Sequence, residues 1–253
     1  MISPARASLL RKTAANVSAR ATPADDIDAT PYEVLRAALG AALVDLRNIQ
    51  SIEAKIERKR QILPNFMPWC AGVLAAEALE PETHRAVEDD ILSQVLVWAL
   101  DVGDFTHGLA IAAYVLRHGL ALPERFKRTA ATMVAEEIAD AALKAAAQGE
   151  SFPLDVLQQA EELTAAEDMP DQVRAKLKKA IGLELARQAR ELPTESADGA
   201  AGGKRAAIIA ALENLKRALA LNANAGVKKE IEQLERELKR LEAAQDQAGQ
   251  PPA

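Results

Sequence analysis

The sequence predicts an all-α protein, on three observations. Leu, Ile and Val recur at spacings of three and four along most of the chain, which is the period of a helix face. Alanine supplies much of a 49% hydrophobic content in which aromatics amount to only 3%, and alanine is the best helix former and small enough to let helices approach closely. Nowhere do Val, Ile, Thr and aromatics alternate with period two, so no strand is expected. The 253 residues suffice for one large domain or two small ones.

Residues 1–30 read as a flexible basic arm carrying Pro4, Pro23, Arg6, Arg11, Lys12 and Arg20, with room for a short helix around Leu9 to Ala19. Thr30-Pro31-Tyr32-Glu33 then starts a helix: Thr at the N-cap, Pro at the first helical position and Glu three residues after the Thr make a capping box. A long helix is expected over residues 31–62, because Leu35, Leu39, Leu43, Leu46, Ile49, Ile52 and Ile56 continue one apolar stripe until Pro64 and Pro68 break the chain. Residues 63–192 read as a core of short helices in hairpins. The clearest pair is 87–100 and 105–117, joined by Asp101-Val-Gly-Asp104; further helices are expected over 126–147, 153–167 and 170–191. The hairpins resemble tetratricopeptide-like units in their small contact residues and Gly-Asp or Asn-rich turns, without a dependable 34-residue period.

The small, polar, glycine-rich stretch 193–203 reads as a linker. A C-terminal helical hairpin follows over 204–244. Ile208, Leu212, Leu215 and Leu219 form one seam, and Val227, Ile231, Leu234, Leu238 and Leu241 form the other, either facing each other or facing a second copy of the chain. Residues 245–253 read as a disordered polar tail.

Several kinds of chemistry are not expected. A single cysteine, Cys70, permits no disulfide within the chain and no cysteine zinc site, and it reads as a small buried hydrophobe. No run of about 18 apolar residues is present to span a membrane. His84, His107 and His118 lack metal-ligand spacing. Gly202-Gly203-Lys204 lacks the upstream glycine and the following Ser/Thr of a phosphate loop, so no ATP site and no cofactor are expected. Glu88, Asp89 and Asp90 favour a helix N-terminus over a metal site. Pro170-Asp171 followed by Lys176 has the letters of a restriction-type nuclease motif but opens a helix. Accordingly no catalytic and no metal-binding residue is assigned.

Charge is unevenly distributed. Residues 1–65 hold ten Lys/Arg against seven Asp/Glu (+3), residues 66–168 six against eighteen (−12), and residues 169–253 fifteen against twelve (+3), for a net −6. The basic front makes Arg6, Arg11 and Lys12 on the arm, and Lys55, Arg58, Lys59 and Arg60 at the end of the long helix, the expected contacts to DNA phosphates. Leu35, Leu39, Leu43, Leu46 and Ile49 make a stripe longer than one short hairpin covers, and so the expected contact between copies of the chain.

The chain resembles the small terminase subunit of temperate contractile-tailed phages with cohesive-ended genomes, a family often labelled the terminase endonuclease subunit. Blocks spread over residues 31–240 carry the resemblance. They include Leu63-Pro-Asn-Phe-Met-Pro-Trp-Cys-Ala-Gly-Val-Leu74, Asp89-Asp-Ile-Leu92, Trp98-Ala-Leu-Asp-Val-Gly-Asp104 and Ile111-Ala-Ala-Tyr-Val-Leu-Arg-His-Gly-Leu120. Met169-Pro-Asp-Gln-Val-Arg-Ala-Lys-Leu177 and the segment 225–239 follow. The resemblance implies a homo-oligomer, in ring form, that recognises the packaging site on phage double-stranded DNA in the cytoplasm of the bacterial host. It implies delivery of that DNA to a large terminase subunit holding the ATPase and the cutting activity. Family members often end in a basic tail. This chain ends Gln-Ala-Gly-Gln-Pro-Pro-Ala, which moves the expected DNA contacts to the N-terminal clusters. Two rival readings are a tetratricopeptide-like scaffold that binds proteins only, and a genuine metal-dependent endonuclease subunit.

Overall fold

The computed structural model describes residues 3–19, 30–79, 84, 86–192 and 200–248. The protein is all-α: the described residues form eleven α-helices and one 3-10 turn, with no strand among them. They divide into two compact units, Met1–Ala131 and Thr132–Ala253.

The first unit contains α1 (Pro4–Ala19), α2 (Pro31–Asn48), α3 (Ile52–Ile62), a 3-10 turn (Leu63–Asn65), α4 (Met67–Leu79), α5 (Asp90–Val102) and α6 (Phe105–Arg117). Its centre is α5, in which every residue from Ile91 to Leu100 is buried and which α2, α3, α4 and α6 all touch. A helix buried on all sides leaves its first backbone N–H groups without water, so its start needs an internal acceptor. Asp89 supplies it: Oδ1 accepts from the N–H of Ile91 at 2.9 Å and of Leu92 at 3.0 Å, while Oδ2 accepts from Trp69 Nε1 at 2.7 Å. One carboxylate thus caps α5 and ties it to α4. At the other end Gly103, at φ 80°, turns the chain into α6, and Asp104 caps that helix. Cys70 is buried on α4, and burial pushes its thiol well above the ordinary range.

The short helix for which the arm had room extends from Pro4 to Ala19. Leu10 and Ala14 of α1 are buried, and α1 packs chiefly on α4 rather than on the next helix in sequence. The contact requires a glycine: a Cβ at Gly72 would lie 2.4 Å from the Arg11 carbonyl oxygen and 2.7 Å from Ala14 Cβ. The helix expected over 31–62 is two helices. Thr30 and Glu33 form the expected capping box, but Ile49 leaves α2 in an extended conformation and Ser51 caps α3 by accepting from the N–H of Ala54. Ile49 and Ile52 keep a three-residue spacing in the sequence across the break, but the stripe does not continue as one buried face, since Ile52 is exposed.

The second unit contains α7 (Ala130–Ala147) from Thr132 onward, α8 (Leu154–Thr164), α9 (Asp171–Glu191), α10 (Ala200–Leu221) and α11 (Lys228–Ala248). Residues 193–199 of the expected linker and 249–253 of the expected tail lie outside the described residues. Residues 200–203 already belong to α10, and 245–248 to α11. Ile208, Leu212 and Leu215 of α10 share one core with Val227 just before α11, with Ile231 and Leu234 of α11, and with Ala186 and Ala189 of α9. The two C-terminal seams therefore meet each other within the chain. Gly182 makes the close approach of α9 to α10, since a Cβ there would lie 2.6 Å from Leu215 Cγ. Buried Glu184 joins this helix to the start of α8, accepting from the Phe152 N–H and from Arg187 and Gln188. Burial acts to raise the Glu184 carboxyl, but these donors outweigh it and hold the group below its ordinary 4.5.

Two outcomes follow. Gly72→Leu should detach α1 from α4 at a cost of about 1–3 kcal/mol, and trypsin should then cleave after Arg11 and Lys12 faster than in the wild type; equal rates would mean α1 is not held there. A carboxyl whose folded pKa lies below its unfolded value contributes stability above that unfolded value and loses it as pH falls through the folded one. Glu184→Gln should therefore lower the neutral-pH thermal midpoint of its unit, by about 1–3 kcal/mol of stability, and flatten the decline on the acid side of 4.5. Parallel wild-type and variant profiles in thermal scans would contradict this.

Candidate nucleic-acid interface

The expected cations fall in the first unit, on α1 and α3, and helical geometry sets where they point. Arg6, Arg11 and Lys12 are exposed on α1 because Leu10 and Ala14 take the buried side. On α3, Arg60 is exposed, whereas Lys55, Arg58 and Lys59 are half-buried. The structure brings four of these residues together in pairs. Arg11 and Arg60 line one cavity of about 630 Å³, whose floor is apolar and includes Met67, Leu74 and Ile111. Arg6 and Arg58 line a second of about 630 Å³, between α1, α2 and the end of α3. Each cavity thus has one arginine from α1 and one from α3 in its lining.

Their electrostatics are less free than the sequence implied. Arg58 Nε donates to Asp45 Oδ2 of α2 at 2.6 Å, Lys59 Nζ to Asp101 Oδ2 of α5 at 2.6 Å, and Arg60 Nη1 to Glu57 Oε2 at 2.7 Å. The first two pairs pin α3 to α2 and α5, and the third lies within α3. Arg58 and Arg60 are wet enough that each pair contributes only about 0–1 kcal/mol, so a phosphate oxygen can replace the carboxylate at little cost. Lys59 is the more enclosed, its side chain 18% exposed, and serves mainly to hold α3 on α5. No ion pair among the described residues engages Arg11, Lys12 or Lys55.

The apolar stripe lies inside the protomer. Leu35, Leu39 and Leu46 are buried, and Leu43 and Ile49 are half-buried. What α2 leaves exposed is Val34 and Val44, with Ile52 just beyond the break, 75% exposed. The stripe assigned to subunit contact from sequence thus forms core, because the fold supplies α3 and α5 as its cover.

The acidic residues weighed as a metal site have other work. Asp89 spends both oxygens on Trp69 and the start of α5, and Asp90 pairs with Arg36 at 2.8 Å. In the second unit Asp171 stands in the first turn of α9, and Lys176 reaches Glu136 and Asp140 of α7. Lys204 of the Gly-Gly-Lys sequence is buried inside α10 and paired with Glu237 at 2.9 Å. Among the described residues no cluster of three His, Cys, Asp or Glu has the arrangement to hold a metal ion. No single described helix is long and apolar enough to cross a membrane.

Sequence reasoning missed one basic group. Arg125-Phe126-Lys127-Arg128, in the connection after α6, holds three of the six Lys/Arg in residues 66–168. Averaging charge over the acidic middle hid it, and a four-residue window would have found it.

A family model described as the phage small terminase subunit matches residues 36–172. The chain belongs to that family, and membership gives it a role in phage DNA packaging. Over 239 residues it is 43% identical to the "Terminase, endonuclease subunit" of Escherichia phage P2, covering 94% of this chain and 87% of that protein. It is 26% identical over 203 residues to the "Probable terminase, endonuclease subunit" of Haemophilus phage HP1, covering 79% of this chain and 68% of that one. No solved structure matches it.

Asp89 separates a capping role from a metal-binding one. Asp89→Ala should destabilise the first unit by about 2–4 kcal/mol, from a lost N-cap and a stranded Trp69 N–H. Chemical denaturation should show the loss equally with and without Mg²⁺, and an unchanged midpoint would refute the capping account.

Proposed function

We propose that this chain is the DNA-recognition subunit of a phage packaging terminase. It engages double-stranded DNA through α1 and α3, assembles with copies of itself into a ring, and presents the DNA to a large terminase subunit in the cytoplasm of the infected bacterium. The observation that carries this reading is the convergence of Arg6, Arg11, Arg58 and Arg60 from two helices on one unit of a family tied to packaging. Lys12 and Lys55 add charge on the same two helices. Phosphate contacts of this kind are local, and the acidity of the rest of the chain limits their reach. Assembly compensates: a ring repeats a weak basic patch around one duplex, and avidity multiplies the contacts.

The contact between copies runs along α2. Leu35, Leu39 and Leu46 hold the protomer together, Leu43 and Ile49 border the exposed side, and Val34, Val44 and Ile52 present the apolar surface that a second copy covers. The alternative reading, a nuclease in this chain itself, has the names of its phage relatives in its favour. The engagement of Asp89 and Asp90 with Trp69 and Arg36 supports placing the cut in the large subunit.

Charge reversal at Arg6, Arg11, Arg58 and Arg60 should abolish duplex binding at moderate salt and flatten its salt dependence. Fluorescence anisotropy checks this, and unaltered binding would remove these residues from the interface. In sedimentation, the wild type should be an oligomer at micromolar concentration, and Val34→Glu with Val44→Glu should yield folded monomer. A monomeric wild type would sink the assembly proposal.

A further inference from the structure

The face of α5 that carries polar residues anchors a row of cations from three other elements. At 3.6 residues per turn, Asp90, Gln94 and Asp101 lie within roughly 40° of one another around the α5 axis. Asp90 holds Arg36 of α2 at 2.8 Å, Gln94 accepts from Arg125 of the connection after α6, and Asp101 holds Lys59 of α3 at 2.6 Å. The row extends along α5 for about 16 Å, the axial length of about five base pairs at roughly 3.4 Å each.

Arg125 is held in a costly way. Its guanidinium lies 4.6 Å over the Phe126 ring and donates to the Gln94 Oε1. Gln94 is buried, and with its oxygen turned to Arg125 its own Nε2 finds no acceptor among the described residues. A neutral amide orients the guanidinium without cancelling its charge, as Asp or Glu in that place would. Burial lowers the Arg125 pKa, the charge of Asp101 raises it, and that of Arg47 lowers it again, so Arg47 at the end of α2 belongs to the same neighbourhood. Arg47 and Lys127 are exposed, and no ion pair among the described residues engages either. Arg36 and Arg47 stand eleven residues apart on α2, as do Asp90 and Asp101 on α5, three full turns in each case.

We propose that Arg36, Arg47, Arg125 and Lys127 form a second phosphate-contacting row, which tracks the backbone of duplex DNA along α5 and extends the surface made by α1 and α3. Gln94 and Phe126 act as positioning residues for Arg125. The row rests on the reading of this chain as a DNA-binding subunit, and it supplies sequence-independent contacts that fix register on the duplex.

The test is the slope of log affinity against log salt for the full-length chain on a generic duplex, measured by anisotropy. Arg47→Gln with Lys127→Gln alters two exposed, unpaired side chains and should keep the thermal midpoint while reducing the slope by roughly two, one for each phosphate contact removed in each engaged protomer. Adding Arg125→Gln should reduce it by roughly one more. Loss of binding in the Arg6, Arg11, Arg58 and Arg60 variant, with wild-type slope in the Arg47/Lys127/Arg125 variant, would overturn this row and leave the parent reading standing. A wild type with no salt-sensitive binding at all would overturn both.

Discussion

The carboxylate of Asp89 is the point on which the first unit depends. A helix as apolar as α5 gains its stability by burial, yet burial strands the backbone donors at its start. Asp89 resolves the conflict by accepting from Ile91, Leu92 and Trp69 at once. Removal from water acts to raise its pKa, and the three donors act in the opposite direction. With α5 fixed, α4 follows through Trp69, and α1 follows α4 through the missing side chain of Gly72. The basic residues of α1 and α3 then belong to helices packed within one compact unit.

Much of the fold is written in local rules. Thr30, Pro31 and Glu33 announce the start of α2 by a cap that the chain forms as expected, and the bounds of α6 follow from Asp104 and Gly119. The C-terminal seams meet because each buries the apolar face of the other across the turn at Gly226. What was not legible depended on distance. Nothing near residues 4–19 says that Gly72 offers them a groove. Ser51 ends one stripe and begins another without disturbing the spacing of the isoleucines around it.

The same division applies to the interface. The cations were visible as residues, but their partners Asp45 and Asp101 lie 13 and 42 positions away, so charge counts alone overstated how free they are. The stripe of Leu35, Leu39 and Leu46, expected from the sequence to be the contact between copies, is buried within the protomer. Only the tertiary fold shows that α3 and α5 cover much of it, which leaves Val34 and Val44 exposed.

Hydrogen–deuterium exchange of the full-length chain, with and without duplex DNA, decides whether DNA meets the first unit along α1, α3 and the cations beside α5. Added protection is expected in α1, in α3 and around residues 124–129, with α9, α10 and α11 unchanged. Protection confined to α9–α11, with α1 and α3 exchanging as they do in the free protein, would contradict it.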